Sequence, residues 1–328
     1  MSRLLGFLLL LASPAAASCG EETPPSAVAR AIDRGLKFLA ADAVAWNREH
    51  QCASCHHAAL VAWSMHEARS AGHEIDGTVL KTQMSDMAAA GDGRTSLKRP
   101  DGFAKALNTK AVYFALGLGA DSQRNDVANQ TLQKMLATVR GDQNSDGSWT
   151  AWPETRPPIF GESDSNASAW ALLALTFAAP DDRAARLSRE RGWDWLQSAP
   201  LDDHQTRAMR LILASRLKRP EREWKSLVLQ IENTQSSEGG WSQGAGQESD
   251  AWATGQALYA LSEYHGASRE RIRRAEAFLV RSQKENGSWP MSSRPIKPEE
   301  PGAANLVPIS GGGSAWAVLG LVRSHRVK

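Results

Sequence analysis

The chain has 328 residues, 42% hydrophobic and 23% charged, an ordinary globular balance with room for one large or two medium domains. A formal net charge of +2 gives no electrostatic argument for nucleic acid or an acidic surface as partner. The unusual count is 12 Trp against 3 Tyr, and because a buried indole needs an acceptor for its N–H, this enrichment points to a repeated structural role.

The first residues read as an export signal. Arg3 gives a basic start, and Leu4 to Leu11 form an apolar run too short to span a bilayer. The small residues Ala15-Ala16-Ala17-Ser18 then lead to Cys19. Signal peptidase could cut after Ala17 or Ser18. Alternatively, Cys19 is the lipid-bearing first residue of a lipoprotein, although Ala16 stands where a lipobox usually has Leu. The expected layout is a signal peptide over 1–18, a short linker over 19–27 and a helical domain over 28–328. The expected location is outside the cytoplasm, in the periplasm or on the outer membrane of a bacterium. Membrane contact is expected only through that lipid, since no other segment is long and apolar enough to cross.

The apolar stripe Val28, Ile32, Leu36 and Leu39 predicts a first helix, paired with a second in a hairpin from Ala27 to about Gly72. Between them lies Cys52-Ala53-Ser54-Cys55-His56-His57. Three cysteines are an odd number for an exported protein, but removal or lipidation of Cys19 leaves Cys52 and Cys55 as a pair. The motif resembles a c-type haem attachment site. Two thiols at this spacing reach the two vinyl groups of one haem, and the next residue, His56, becomes an axial iron ligand. Haem c held by Cys52, Cys55 and His56 is the first reading. A disulfide or redox-active pair is the second. A metal site using Cys52, Cys55, His56 or His57 is the third. No second axial ligand is evident: His57, Met65 and His66 are near in sequence but not expected to face the iron, and Met291 would approach only if the last hairpin met the first. His50 and His73 are expected in exposed loops.

A second hairpin is predicted from about Thr78 to Ala120. Three loops then share one pattern: Gln143…Gly147…Trp149, Gln235…Gly239…Trp241 and Gln283…Gly287…Trp289, each Gln-x3-Gly-x-Trp. Each follows a helical stripe, such as Ile272, Ala275, Phe278 and Leu279. The Gly is expected to end the helix, the Gln to bond the loop backbone and the Trp to cover the turn. After each loop comes an apolar helix rich in small residues: Ala167 to Leu175, Trp252 to Leu261, and Ser314 to Leu321. The intact copies lie 92 and 48 residues apart, and a degenerate pair, Trp193 to Gln197 and Gln205 to Ser215, fits the larger gap. Helix pairs that cannot bury their apolar faces alone must stack.

This pattern resembles the QW motif of squalene–hopene cyclases and the related prenyltransferase repeat over most of the mature chain. The resemblance implies an all-α fold, an α/α toroid of about six hairpins with six inner and six outer helices. Composition alone leaves an open helical solenoid as the alternative.

Aligning the inner helices by Leu175 and Leu261 places Asp164 and Asp250 eleven residues before each, in the triplets Glu162-Ser163-Asp164 and Glu248-Ser249-Asp250. Asp202-Asp203 falls at the matching place of the degenerate pair, with His204 next to it as a cap, a surface residue or part of the cavity rim. Aligning Trp63 with Trp170 sets His57 level with Asp164. Glu162, Asp164, Glu248 and Asp250 are therefore candidates for acid–base work or cation binding at one end of the cavity. Helix capping explains each Asp equally well. The cyclases protonate their substrate with Asp-x-Asp-Asp before an inner helix, and the matching segment here is Asp164-Ser165-Asn166-Ala167. Asn166 cannot supply that proton. The zinc site of protein prenyltransferases also has no counterpart. Three functions remain open: a haem-bearing ring in electron transfer or redox chemistry with a redox partner, a terpenoid or prenyl-type cyclase or transferase acting on an apolar small molecule, and a binding or scaffold module of the envelope.

Overall fold

The computed structural model describes residues 25–50, 55–89, 106–151, 157–159, 163–292 and 308–325. Residues 1–18, where the export signal is expected, lie outside these residues, as do Cys19, Cys52, Glu162 and the side chains of Cys55 and His56. Twelve helices are described: α1 (Pro25–His50), α2 (Cys55–Ser70), α3 (Gly77–Ala89), α4 (Thr109–Ala120), α5 (Asp126–Gly141), α6 (Asp164–Leu175), α7 (Arg183–Ser198), α8 (His204–Arg216), α9 (Glu221–Asn233), α10 (Ala251–Leu261), α11 (Arg269–Ser282) and α12 (Ser310–His325).

Two kinds of helix alternate. The outer, odd-numbered helices carry one apolar stripe; α5 buries Ala128, Leu132, Met135, Leu136 and Val139 and turns its other faces outward. The inner, even-numbered helices are buried all round, as α10 is from Ala251 to Leu261. Small residues make this possible. Helices α10 and α12 meet so closely that a Cβ on Gly255 would collide with the Trp316 carbonyl, and one on Gly320 would lie 2.7 Å from the Gly255 carbonyl.

Each inner helix packs on the next, α12 returns to α2, and α1 meets α11. The molecule is thus a closed α/α ring, and the open solenoid is excluded. The helices fall at the predicted places, with α1 starting at Pro25 and running to His50, so that His50 ends a helix rather than sitting in a loop.

The three Gln-x3-Gly-x-Trp loops share one geometry. Gln143, Gln235 and Gln283 each donate from Nε2 to the carbonyl of their loop glycine, at 3.0, 2.8 and 3.0 Å. The same nitrogen reaches the next outer helix, at the carbonyls of Ser188 (2.9 Å), Arg271 (2.9 Å) and Ala31 (2.9 Å). Trp149, Trp241 and Trp289 donate from Nε1 to Val139, Ile231 and Leu279, carbonyls of the preceding outer helix. Their own backbone N–H groups donate to Ser168, Thr254 and Ser314 on the following inner helix. Each motif therefore ties three helices together. Gly147, with φ of +100°, lies against the Arg191 carbonyl, where a side chain would be both strained and obstructed. The third loop joins α11 to α1 and is a bolt of the closed ring.

At the C-terminal ends of the inner helices, one ionic cluster spans four of them. Arg216 (α8) and Arg323 (α12) both donate to the Tyr259 hydroxyl (α10), at 2.9 and 3.1 Å. Glu67 (α2) lies 3.9 Å from Arg216 and 3.7 Å from Arg323, while Glu263 pairs with Arg323 and accepts from Ser215 at 2.8 Å. Burial alone would weaken the charge on Arg323; Tyr259, Glu67 and Glu263 outweigh it and hold the guanidinium more firmly protonated.

Candidate functional site

The six inner helices run parallel, so their N-termini gather at the opposite end, which forms the mouth of the ring. Below it, aromatic rings fill the axis. Trp316 (α12) is fully buried and meets Trp63 (α2) edge-on at 5.3 Å between ring centres, with Trp170 (α6), Trp252 and Tyr259 (α10) each at 6.1 Å. Trp170 also meets Tyr113 (α4) at 5.3 Å. The indoles that the composition marked thus do two jobs: three seal the loops, and four more build this floor.

Above the floor, buried amides converge. Gln205, in the first turn of α8, donates to the Pro158 carbonyl and to Asn166 Oδ1, both at 3.0 Å. Its Oε1 accepts from Trp252 Nε1 at 2.7 Å and from Gln256 Nε2 at 2.8 Å. Asn166 Nδ2 and the indole N–H groups of Trp63, Trp170 and Trp316 find no acceptor among the described residues. Pro157-Pro158-Ile159, from the connection between α5 and α6, dips into this mouth. Ile159 is buried and the Tyr113 hydroxyl donates to its carbonyl. The space left between Leu107, Val112, Tyr113, Ile159, Ala167 and Trp170 is about 10 Å³, room for one water molecule.

Of the predicted acidic residues, Asp164 and Asp250 lie at this end and are already engaged, while Glu162 is outside the described residues. Asp164 opens α6 and accepts the Ala151 N–H at 2.8 Å, while Ser163 caps the helix. Asp250 caps α10 through the Ala253 N–H at 2.8 Å and also accepts from Gln243. Asp203 caps α8 through Thr206. Asp164, Asp202 and Asp203 do come together, with Trp195 and Gln243, around a cleft of about 580 Å³. Glu248 is exposed.

Cys55 and His56 occupy the first two positions of α2. Beside them, His57 is buried and its Nε2 lies 2.8 Å from Asp42 Oδ2, with Trp46 stacked on the ring at 4.8 Å. Gly311 packs against the His57 ring, and the adjacent Gly312 against Met291, so the last hairpin does abut the first. Met65 and His66 are buried further down α2. Burial pushes His66 down to about 4, although Asp121 opposes this. Among the described residues, no group of three or more His, Cys, Asp or Glu is arranged to hold a metal ion.

Two more histidines differ from expectation. His204 takes no surface role: it is fully enclosed, hydrogen-bonded to the Ala253 carbonyl at 2.9 Å, and burial pushes it down to about 4. His73 lies in a loop as expected, but it is only partly exposed, with its Nδ1 3.0 Å from Asp33 Oδ1 of α1. Sequence reasoning also missed Gln205, Gln256, Tyr113 and the Pro157–Ile159 strap. The available signal was amides at registers otherwise filled by apolar residues.

No protein-family model matches this chain, and no curated protein sequence matches it. Solved structures do. A variant of the type II terpene cyclase MstE from Scytonema, in complex with geranylgeranyl dihydroxybenzoate, aligns with a TM-score of 0.65 at 13% identity, over 93% of this chain and 99% of that one. Another MstE variant, in complex with merosterolic acid A, gives 0.65 at 14%, with the same coverage. A protein from Actinoplanes gives 0.60 at 14%, over 92% and 100%. At these identities the likeness is one of fold: this chain is built as the ring of type II terpene cyclases, along almost its whole length.

Proposed function

We propose that the protein takes an apolar, isoprenoid-type molecule into the mouth of its ring and binds it without protonation-initiated cyclization. The observation that carries this reading is the aromatic floor contributed by five inner helices, set in a ring of the same extent as a cyclase that binds a geranylgeranyl substrate. Aromatic faces offer an isoprenoid both apolar area and polarizable contact. Asn166, where the cyclases carry their acid, is buried as a hydrogen-bonding partner of Gln205 and has no proton to give. If any turnover occurs, Asp164 is the carboxylate beside this segment.

Quenching of the intrinsic Trp emission by geranylgeraniol tests the binding. Saturable quenching, weakened by Trp252→Ala, is expected. Incubation with geranylgeranyl substrates followed by product extraction tests the chemistry. Cyclized products that disappear in Asp164→Ala would reverse the second half of the proposal.

A second reading concerns Cys52, Cys55 and His56. We propose covalent haem c at this motif, with His56 as an axial ligand, in a protein exported to the periplasm and anchored, if at all, through lipid on Cys19. The observation favouring it is position. Cys55 and His56 open an inner helix, and the neighbouring His57 faces Asp42 and lies against Gly311 of the last hairpin. Bound there, haem would supply one-electron redox chemistry. Protein from a host competent in haem attachment should show a Soret band that survives acid–acetone extraction. A colourless product removes this reading and leaves the disulfide to be tested by thiol counting.

A further inference from the structure

We infer that Pro157-Pro158-Ile159 is a built-in ligand surrogate that closes the mouth, and that the site beneath it takes an apolar molecule ending in carbonyl or carboxylate oxygens. This inference rests on the isoprenoid reading and names the end of the molecule that the ring would recognise.

Connections usually run over the surface, because their polar backbone needs water. This one instead drives an apolar side chain and two carbonyls inward. Ile159 is 4% exposed and lines one small cavity with Tyr113, Ala167 and Trp170. Its carbonyl accepts from the Tyr113 hydroxyl, and the Pro158 carbonyl accepts from Gln205 Nε2 at 3.0 Å. Tyr113 and Gln205 stand on α4 and α8, the two neighbours of α6, so the strap is held from both sides. Pro157 and Pro158 have no N–H. To the donors around it, this part of the strap offers only acceptors.

The donors outnumber what the strap satisfies. Among the described residues, Asn166 Nδ2 and Trp170 Nε1, both buried, have no acceptor. A buried donor left unpaired costs about 1–3 kcal/mol, so such a surplus favours an occupant that brings more oxygen. With the strap lifted, the hydroxyl of Tyr113 and the N–H groups of Gln205, Asn166 and Trp170 would face one apolar pocket. None of the four carries a charge. Such a set suits a carbonyl or a carboxylate, which neutral N–H and O–H donors can hold. A diphosphate would call for Lys, Arg or a metal ion.

The test uses the full chain carrying Ala167→Cys, a small change in the cavity wall. Labelling of that thiol by N-ethylmaleimide is followed by peptide mass spectrometry, which separates it from the native cysteines. Adding Ile159→Ala should speed labelling at least fivefold. It should also tighten binding of geranylgeranoic acid at least fivefold, while geranylgeranyl diphosphate stays weak. Ile159→Val should fall between, which keeps the comparison usable if the alanine variant folds poorly. Unchanged labelling in both variants overturns the inference alone, even where the unaltered strap admits the acid. Faster labelling with no binding of the acid to any form overturns the isoprenoid reading and the ligand assignment together. Tighter binding of the diphosphate than of the acid overturns the assignment of the oxygen end.

Discussion

The two ends of the ring solve opposite problems with the same twelve helices. The end where the inner helices finish is cross-linked by charge: Glu67, Arg216, Tyr259, Glu263 and Arg323 join α2, α8, α10 and α12. The mouth, where they begin, is held by neutral amides, backbone carbonyls and caps around Gln205. Partly buried ion pairs are rigid and costly to open, because each partner left behind is an uncompensated charge. Neutral hydrogen bonds of about 1 kcal/mol net can be exchanged for a ligand's. The division implies that stability is concentrated at one face and adaptability at the other.

The largest expected effect is one that both ends share. Gly255→Leu forces a side chain into the Trp316 backbone where α10 and α12 touch. A loss on the order of 4 kcal/mol or more, or no folded protein, is expected from urea unfolding. Arg323→Met should cost about 3 kcal/mol, because Glu263 loses its counter-charge and Glu67 keeps only the more distant Arg216. If this variant melts like the parent, the charged face is not the stable one.

Acid should act at both ends. His204, near the mouth, and His66, toward the charged face, each have a folded value of about 4 against an ordinary 6.5. The unfolded chain therefore binds protons more readily below pH 6.5. The stability that neutral histidines contribute is complete above 6.5 and is lost as pH falls toward 4. A loss on the order of 3 kcal/mol for each histidine across that window is expected from unfolding at pH 7, 5.5 and 4. His204→Gln and His66→Gln, measured separately, show which end carries more of the slope.

Smaller effects sharpen the contrast. Gln283→Ala removes the bond from the third loop to α1 and should cost about 1–2 kcal/mol, with faster hydrogen exchange at the start of α1. Gln235→Ala, between α9 and α11, should cost the same but leave α1 protected. Asp164→Ala should cost about 1 kcal/mol, the value of a helix-terminal acceptor.

What the sequence made legible follows from distance along the chain. The Gln-x3-Gly-x-Trp loops are local, and the helix ends, turns and buried Trp residues lie where the pattern puts them. Even the alignment of Trp63 with Trp170 reflects a shared level, since both meet Trp316. Capping by Asp250 and Asp203 was equally readable, because a cap needs only the next three residues. The Gln205 hub was not, since its partners lie 39 to 51 positions away. His204 shows the same limit. A His after two Asp residues suggests a surface, yet ring curvature encloses it against α10. The strap was hidden differently: Pro-Pro-Ile looks like any connection until Tyr113 and Gln205 are found to hold its carbonyls.

One detail of α1 orients the whole molecule. Asp33 bonds His73, just past the end of α2, whereas Asp42 reaches His57 near that helix's start. The chain therefore enters the ring at the charged face and climbs toward the mouth. Pro25, where the described residues begin, lies on the rigid side of the ring, opposite the opening.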